Sequence, residues 1–226
     1  MKKKTATFRD NQRLLSSWLT PLEKPALAWM ARHMPMAVHS DHMTLLAFLA
    51  MLMAGFSYAF SGSQPQLLHL VNLGLFLHWL GDSMDGTLAR YRNRLRPRYG
   101  FYVDHILDCF SVTFLMGGLA LSGWMSPWAA LSLLAVFLLL SIDSYLAAYT
   151  LGDFRMSFWK FGPTEARLLL AAGNLSILLF DPYILVGGER YLLFDFGGWI
   201  AVAVMGVILV LSTLQNGVKL YKMERI

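Results

Sequence analysis

The chain has 226 residues, is 56% hydrophobic with 13 methionines, and carries a net charge of +5. A mean hydropathy of +0.49 spread over this length points to one helical membrane domain and leaves no room for a separate soluble one. The single cysteine, Cys109, excludes an intramolecular disulfide and leaves thiol chemistry without a partner, so it reads as a small core residue.

A membrane span takes about 20 mostly apolar residues. Six stretches qualify, at 43–61, 67–88, 101–122, 127–150, 165–187 and 196–217. The expected fold is an all-α integral membrane protein with six transmembrane helices. Residues 1–40 form a basic N-terminus and juxtamembrane segment, and 41–226 the six-span domain. Residues 14–34 mix Trp, Leu and Met with Lys and Arg and are interrupted by Pro21 and Pro25. They suit an amphipathic, interfacial helix or two lying on the membrane, or else a linker packed on the bundle.

Span one follows Ser40-Asp41-His42-Met43-Thr44, where Ser40 or Asp41 can cap it. Span two ends in Asp82 and Asp85. Span three begins near Gly100 and carries Asp104 and Asp108 in its opening turns. Span four holds Asp143 near its end. Span five opens on Gly162-Pro163-Thr164-Glu165-Ala166-Arg167, with Pro163 in a first turn where its missing N–H costs nothing. Residues 181–195 read as a loop, followed by span six and a basic tail.

A basic chain raises the question of nucleic acid, but the charge distribution argues against it. With the N-terminus inside and six spans, all of the 19 basic residues except Arg190 fall on the inner side. That is the positive-inside pattern, and it places both termini in the cytoplasm. The excess is then topology plus attraction to anionic headgroups.

The chemistry concentrates in DSMDGTLARYRNRLRPRYGFYVDHILD, residues 82–108. Asp82 and Asp85, and Asp104 and Asp108, have spacings that put each pair on one helix face. Carboxylates at the ends of membrane spans are costly and need partners, so they mark function. Four in one pocket repel each other unless cations intervene. Hard oxygen donors suit Mg²⁺ or Mn²⁺, and two such ions can hold a pyrophosphate and stabilise an in-line displacement. Gly86, Ala89 and Gly100 are too small to block a ligand. Arg90, Arg92, Arg94, Arg96 and Arg98 carry guanidinium forks suited to phosphate. The competing reading pairs the aspartates with these arginines in a solvated turn, but it leaves the small residues unexplained.

Asp82-x-x-Asp85-Gly86-x-x-Ala89-Arg90, nine residues, then Gly100-x-x-x-Asp104-x-x-x-Asp108 resembles the full signature of the CDP-alcohol phosphotransferases, also called CDP-alcohol phosphatidyltransferases. The resemblance implies a six-span core with a cytoplasmic active site and a homodimer. It implies that Asp82, Asp85, Asp104 and Asp108 ligate two divalent cations, Mg²⁺ or Mn²⁺. Asp108 would also be the general base on an acceptor hydroxyl. Gly86, Ala89, Gly100 and Arg90 would receive the CDP-alcohol donor, together with Asp41 and Thr44. The pattern departs at the start of span one, where Ser40 and Asp41 stand in place of the family's Pro and Asn and Thr44 is kept. The implied reaction moves a substituted phosphate from a CDP-alcohol to an alcohol acceptor and releases CMP, in phospholipid synthesis. The size of the chain is similar to bacterial inner-membrane enzymes that use CDP-diacylglycerol with a polar acceptor. Gly162-Pro163-Thr164-Glu165 is similar to a segment of choline and ethanolamine phosphotransferases, which transfer to diacylglycerol.

Asp143, Glu165 and Arg167 are candidates for the acceptor pocket, with Asn174 further along span five. The alternative is interhelical pairing, Asp143 or Glu165 with Arg167. The histidines, His78 and His105 included, read as packing or interfacial residues. Intramembrane carboxylates also mark transporters, although those usually lie near the midplane between repeats.

Overall fold

A computed structural model describes residues 19–152 and 162–224. Seven helices follow in order: α1 (Thr20–His33), α2 (Ser40–Ser61), α3 (Leu67–Tyr91), α4 (Pro97–Leu121), α5 (Pro127–Leu151), α6 (Pro163–Leu179) and α7 (Leu193–Met223). The described residues are 81% helical. Four helices, α2, α4, α5 and α7, are long and apolar enough to cross a membrane. Among the described residues that criterion picks out four of the expected six spans and does not confirm the other two, α3 and α6. In α3, His69, Asn72 and His78 dilute an otherwise apolar helix. In α6 there are 17 residues, about 26 Å of rise, which falls short of a bilayer core.

The stretch 165–187 does not run as one helix. It stops at Leu179, and an antiparallel hairpin follows, β1 (Tyr183–Val186) and β2 (Glu189–Leu192). Gly187 and Gly188 turn it with φ of 61° and 91°, the left-handed geometry a two-residue hairpin turn demands. The loop read at 181–195 is thus a hairpin running directly into α7.

Glycines set how closely the helices approach. A Cβ at Gly81 or Gly74 of α3 would lie 2.5 Å from the Met43 carbonyl oxygen or 2.7 Å from that of Ala50, both on α2. Likewise, a Cβ at Gly118 of α4 would lie 2.0 Å from the Gly55 carbonyl oxygen. So α2 is the central helix, with α3 and α4 pressed backbone to backbone against it. Their shared core joins Met51 and Ala54 of α2 to Leu75 of α3 and Leu115 and Leu119 of α4.

Buried polar contacts tie α6 to this core. Tyr58 Oη donates to Asn174 Oδ1 at 2.8 Å, and Asn174 Nδ2 to Asn72 Oδ1 at 2.7 Å. Asn174 thus bonds to α2 and α3 as interhelical glue. At the far end, Asp195 Oδ1 accepts the Ser126 N–H at 2.6 Å and fixes α7 beside α5.

Of the N-terminal segment, residues 1–18 lie outside the described residues; Thr20–His33 forms a single helix that accommodates both prolines, with Pro21 in its first turn. Leu27 and Ala31 pack on Met43, Met84 and Leu88, while Leu22 and Trp29 remain exposed on the other side. Glu23 Oε1 accepts from Trp79 Nε1 at 2.9 Å. Packing on the bundle is therefore realised.

The α2–α4 contact is testable. Gly118→Ala should lower the melting temperature in detergent by the equivalent of about 1–3 kcal/mol, because the added methyl must push two backbones apart. Gly117→Ala, whose methyl meets nothing within 4 Å, should leave it unchanged or slightly raised. Equal melting temperatures would show that the helices are not in this contact.

Candidate active site

Three helices supply the site, each through one stripe of its surface. On α3 the stripe is His78, Asp82, Asp85 and Ala89; on α4 it is Gly100, Asp104, Asp108 and Ser111. On α2, Thr44, Ala47 and Phe48 face them. The close approach at Gly81 brings the α3 stripe against α2, and the tight α3–α4 turn sets the two aspartate pairs opposite each other. In that turn Asn93 takes φ of 54°, a conformation asparagine tolerates, and Pro97 starts α4. The result is a cavity of about 20 Å³ lined by Thr44, Ala47, Phe48, His78, Asp82, Asp85, Asp104, Leu107, Asp108 and Ser111. All four predicted aspartates share it.

Their partners differ. Asp82 Oδ2 accepts from Arg167 Nη2 of α6 at 2.7 Å, an ion pair in which the arginine is only 14% exposed. Asp85, itself buried, accepts from Thr44 Oγ1 at 3.1 Å and from its neighbour's backbone, Gly86 N–H. Among the described residues, no three His, Cys, Asp or Glu side chains converge closely enough to hold a metal as they stand. The donor set is nonetheless of the right kind, four hard carboxylates on two facing helices.

The predicted small residues divide. A Cβ at Gly100 would meet nothing within 4 Å, and at Gly86 only the Arg90 guanidinium at 3.3 Å. Packing therefore demands neither glycine, unlike Gly81 or Gly118: Gly100 leaves open space over the start of α4, and Gly86 is covered only by a flexible side chain. Ala89 is buried. Arg90 lies over Gly86 and donates to Thr87 Oγ1 at 3.3 Å.

Other predicted residues are placed differently from expectation. Asp41 forms an exposed ion pair with Arg96. Helix α2 is entered through His39, whose N–H donates to His42 Nδ1 at 3.0 Å, in place of a Ser40 or Asp41 cap. The three acceptor-pocket candidates are not brought together, and neither expected pairing with Arg167 is the one found. Arg167 alone reaches the aspartates. Glu165 Oε2 accepts the Gly162 N–H at 2.9 Å and closes its own helix start. Asp143 accepts from Ser212 Oγ at 2.5 Å, and from Thr213 and Asn216, all on α7.

The loop arginines are not one phosphate-binding set. Arg92 donates to the carbonyls of Met34, Pro35 and Val38, clamping the α1–α2 connector to the end of α3. Two residues that the sequence reading assigned to packing or did not single out, His78 and Ser111, belong to the cavity. The signal was present: each continues an aspartate stripe one turn further into its helix.

Losing the Arg92 clamp should free the α1–α2 connector. Arg92→Ala is expected to cost on the order of 1–3 kcal/mol, the range for hydrogen bonds from a charged donor. It should also expose the connector to limited proteolysis. Unchanged cleavage would make the clamp dispensable.

Residues 37–214 match the sequence profile of the CDP-alcohol phosphatidyltransferase family. The chain is also similar to Inner membrane protein YnbA of Escherichia coli (strain K12), 25% identical over 166 residues that cover 72% of this chain and 78% of that protein.

Proposed function

From the premise that this chain belongs to the CDP-alcohol phosphatidyltransferase family, an integral membrane transferase family of phospholipid synthesis, we propose that it moves a substituted phosphate from CDP-diacylglycerol to a polar alcohol and releases CMP. The observation that carries this reading is the shared cavity: Asp82, Asp85, Asp104 and Asp108 line it together, on the two helices that carry Gly86 and Gly100.

In this reading each residue has a physical task. Gly86 and Gly100 let the nucleotide approach helix backbone, with Ala89 and Arg90 beside it. The four aspartates would hold two divalent cations, Mg²⁺ or Mn²⁺, which when bound neutralise the pyrophosphate and the departing CMP. Thr44 orients Asp85 through its hydroxyl. Arg167, within reach of Asp82, offers a fork that fits phosphate as well as carboxylate. Asp108 takes the proton from the attacking hydroxyl. Positioning and charge stabilisation supply most of the acceleration, as for phosphoryl transfer generally. Asp41 and Asp143 stay outside the reaction, because Asp41 pairs with Arg96 and Asp143 is held by α7. The positive-inside pattern supports a cytoplasmic site and cytoplasmic termini. We propose a homodimer as the working form.

The deciding experiment is CMP release by purified protein with Mg²⁺ or Mn²⁺. Donors are CDP-diacylglycerol, CDP-choline and CDP-ethanolamine, each with a panel of acceptors. Turnover with CDP-diacylglycerol, lost in Asp104→Asn, is expected. Turnover only with CDP-choline or CDP-ethanolamine and diacylglycerol would reverse the substrate assignment. No turnover and no CDP binding would sink the reading.

Two variants probe the roles. Asp108→Asn should abolish turnover while donor binding largely survives; lost binding would make Asp108 mainly a ligand. Gly100→Leu should raise the donor KM by about ten-fold or more at unchanged melting temperature, since its side chain would enter space that only a ligand fills. An unaltered KM would remove the nucleotide from this position.

A further inference from the structure

A cation of the chain itself already sits on Asp82. Arg167 Nη2 of α6 donates to Asp82 Oδ2 of α3 at 2.7 Å, and the arginine is 14% exposed. A guanidinium taken this far out of water needs an anion beside it. Asp82 in turn shares its cavity with Asp85, Asp104 and Asp108, and carboxylates so close repel each other. One positive charge seated on Asp82 relieves part of that repulsion. The pair therefore serves both partners.

The same contact obstructs a second occupant. A divalent cation bound by Asp82 would face the guanidinium across one carboxylate group, where the arginine is largely withdrawn from water and like charges are poorly screened. The carboxylates also have to turn to receive it. Among the described residues, no three His, Cys, Asp or Glu side chains converge closely enough to hold a metal as they stand. Asp85 accepts from neutral donors, Thr44 Oγ1 and the Gly86 N–H, which leave its charge for a cation. Asp82 is bound to a charge that competes.

Helix α6 does not depend on this pair for its place. Its two buried residues, Asn174 and Ile177, lie in its C-terminal half. There Asn174 bonds to Tyr58 of α2 and Asn72 of α3, and a Cβ at Gly173 would lie 2.4 Å from the Phe194 ring. Arg167 stands two turns earlier, so it can leave Asp82 while the helix stays anchored.

We propose that Arg167 is a built-in counter-cation: it neutralises Asp82 until a divalent cation takes its place, so that metal binding here exchanges one positive charge for another. The inference rests on the phosphotransferase reading, which puts two divalent cations on these aspartates. No covalent bond changes. Asp82 turns from the guanidinium to the cation, and the arginine's fork becomes available to phosphate. Divalent cations then bind more weakly than the four carboxylates alone would hold them. A supporting role predicts the opposite sign, because an arginine that only orients a metal-binding carboxylate strengthens metal binding.

Mn²⁺ affinity of the full chain in detergent, without nucleotide, separates the two. It is measured by calorimetry for wild type, Arg167→Met and Arg167→Gln, and for Arg167→Met in an Asp82→Asn background. Gln keeps a donor and loses the charge, so it tests the same exchange with less disturbance of the fold. Both single variants should bind Mn²⁺ about ten-fold or more tightly than wild type, the scale of a charge-assisted contact. With Asp82→Asn present, the gain from Arg167→Met should shrink to about two-fold or less, because the partner in the exchange is gone. In EDTA both single variants should melt below wild type, and saturating Mn²⁺ should close the gap.

Mn²⁺ affinity unchanged or lowered by loss of Arg167 overturns the proposal and leaves the pair as a tie between helices or a support for Asp82. An equal gain in the Asp82→Asn background also overturns it, since the general field of the arginine would then suffice. So does a melting gap that Mn²⁺ leaves open in both variants. A wild-type protein that binds no Mn²⁺, with or without CMP, and releases no CMP from any donor overturns the phosphotransferase reading and this inference with it. Metal-dependent turnover without a gain in Arg167→Met or Arg167→Gln overturns the inference alone.

Discussion

The contact on which everything else depends is the backbone approach of α2 to both α3 and α4. Lipid offers no hydrophobic drive for helices to associate, so close van der Waals contact between small residues has to supply it. Gly74 and Gly81 provide this on the α3 side, Gly55 and Gly118 on the α4 side. Because α3 and α4 are also joined by a tight turn, pinning both to α2 leaves one relative placement. That placement sets Asp82 and Asp85 opposite Asp104 and Asp108. The geometry of the site is thus set largely by glycines outside it.

Two populations of glycine follow, and only structure separates them. Gly81 and Gly86 are five residues apart on one helix, and sequence spacing treats them alike. Yet a methyl on Gly81 collides with backbone, while one on Gly86 meets only a flexible arginine. The first serves the fold and the second leaves space that the fold does not use. The same sorting applies to the arginines at alternate positions of the turn, which read as one group in sequence. Arg92 holds the α1–α2 connector and Arg96 pairs with Asp41, so different members of the run serve different neighbours.

The aspartate cluster was legible in the sequence because helix periodicity alone fixes which residues share a face, and the two pairs lie on consecutive helices joined by a short turn. What periodicity does not give is which helices touch. Arg167 meets Asp82 across 85 residues of chain, and Asp143 meets Ser212 across 69. Neither partnership has a local signal, which is why both Arg167 and Asp143 were assigned other partners. The hairpin was missed for another reason. Tyr183–Val186 and Glu189–Leu192 flank a Gly-Gly pair, a recognisable turn signal, but their apolar residues extended the hydropathy of the preceding helix past its true end.

Intramembrane carboxylates alone would suit a transporter equally well, and the layering of this cavity argues against one. Along the paired stripes of α3 and α4, small residues stand nearest the turn, at Ala89 and Gly100. The four carboxylates come next, and the neutral polar groups His78 and Ser111 lie deepest. Beyond them Met51, Ala54, Leu75, Leu115 and Leu119 close into a buried apolar core. A transport pathway has to continue with polar lining or an opening toward the other side; here the polar groups of the core, Tyr58, Asn72 and Asn174, are spent on one another. A site open at one end, graded from space for a bulky group through carboxylates to a hydroxyl-sized floor, matches a displacement at phosphorus that takes in and releases its nucleotide on the same side.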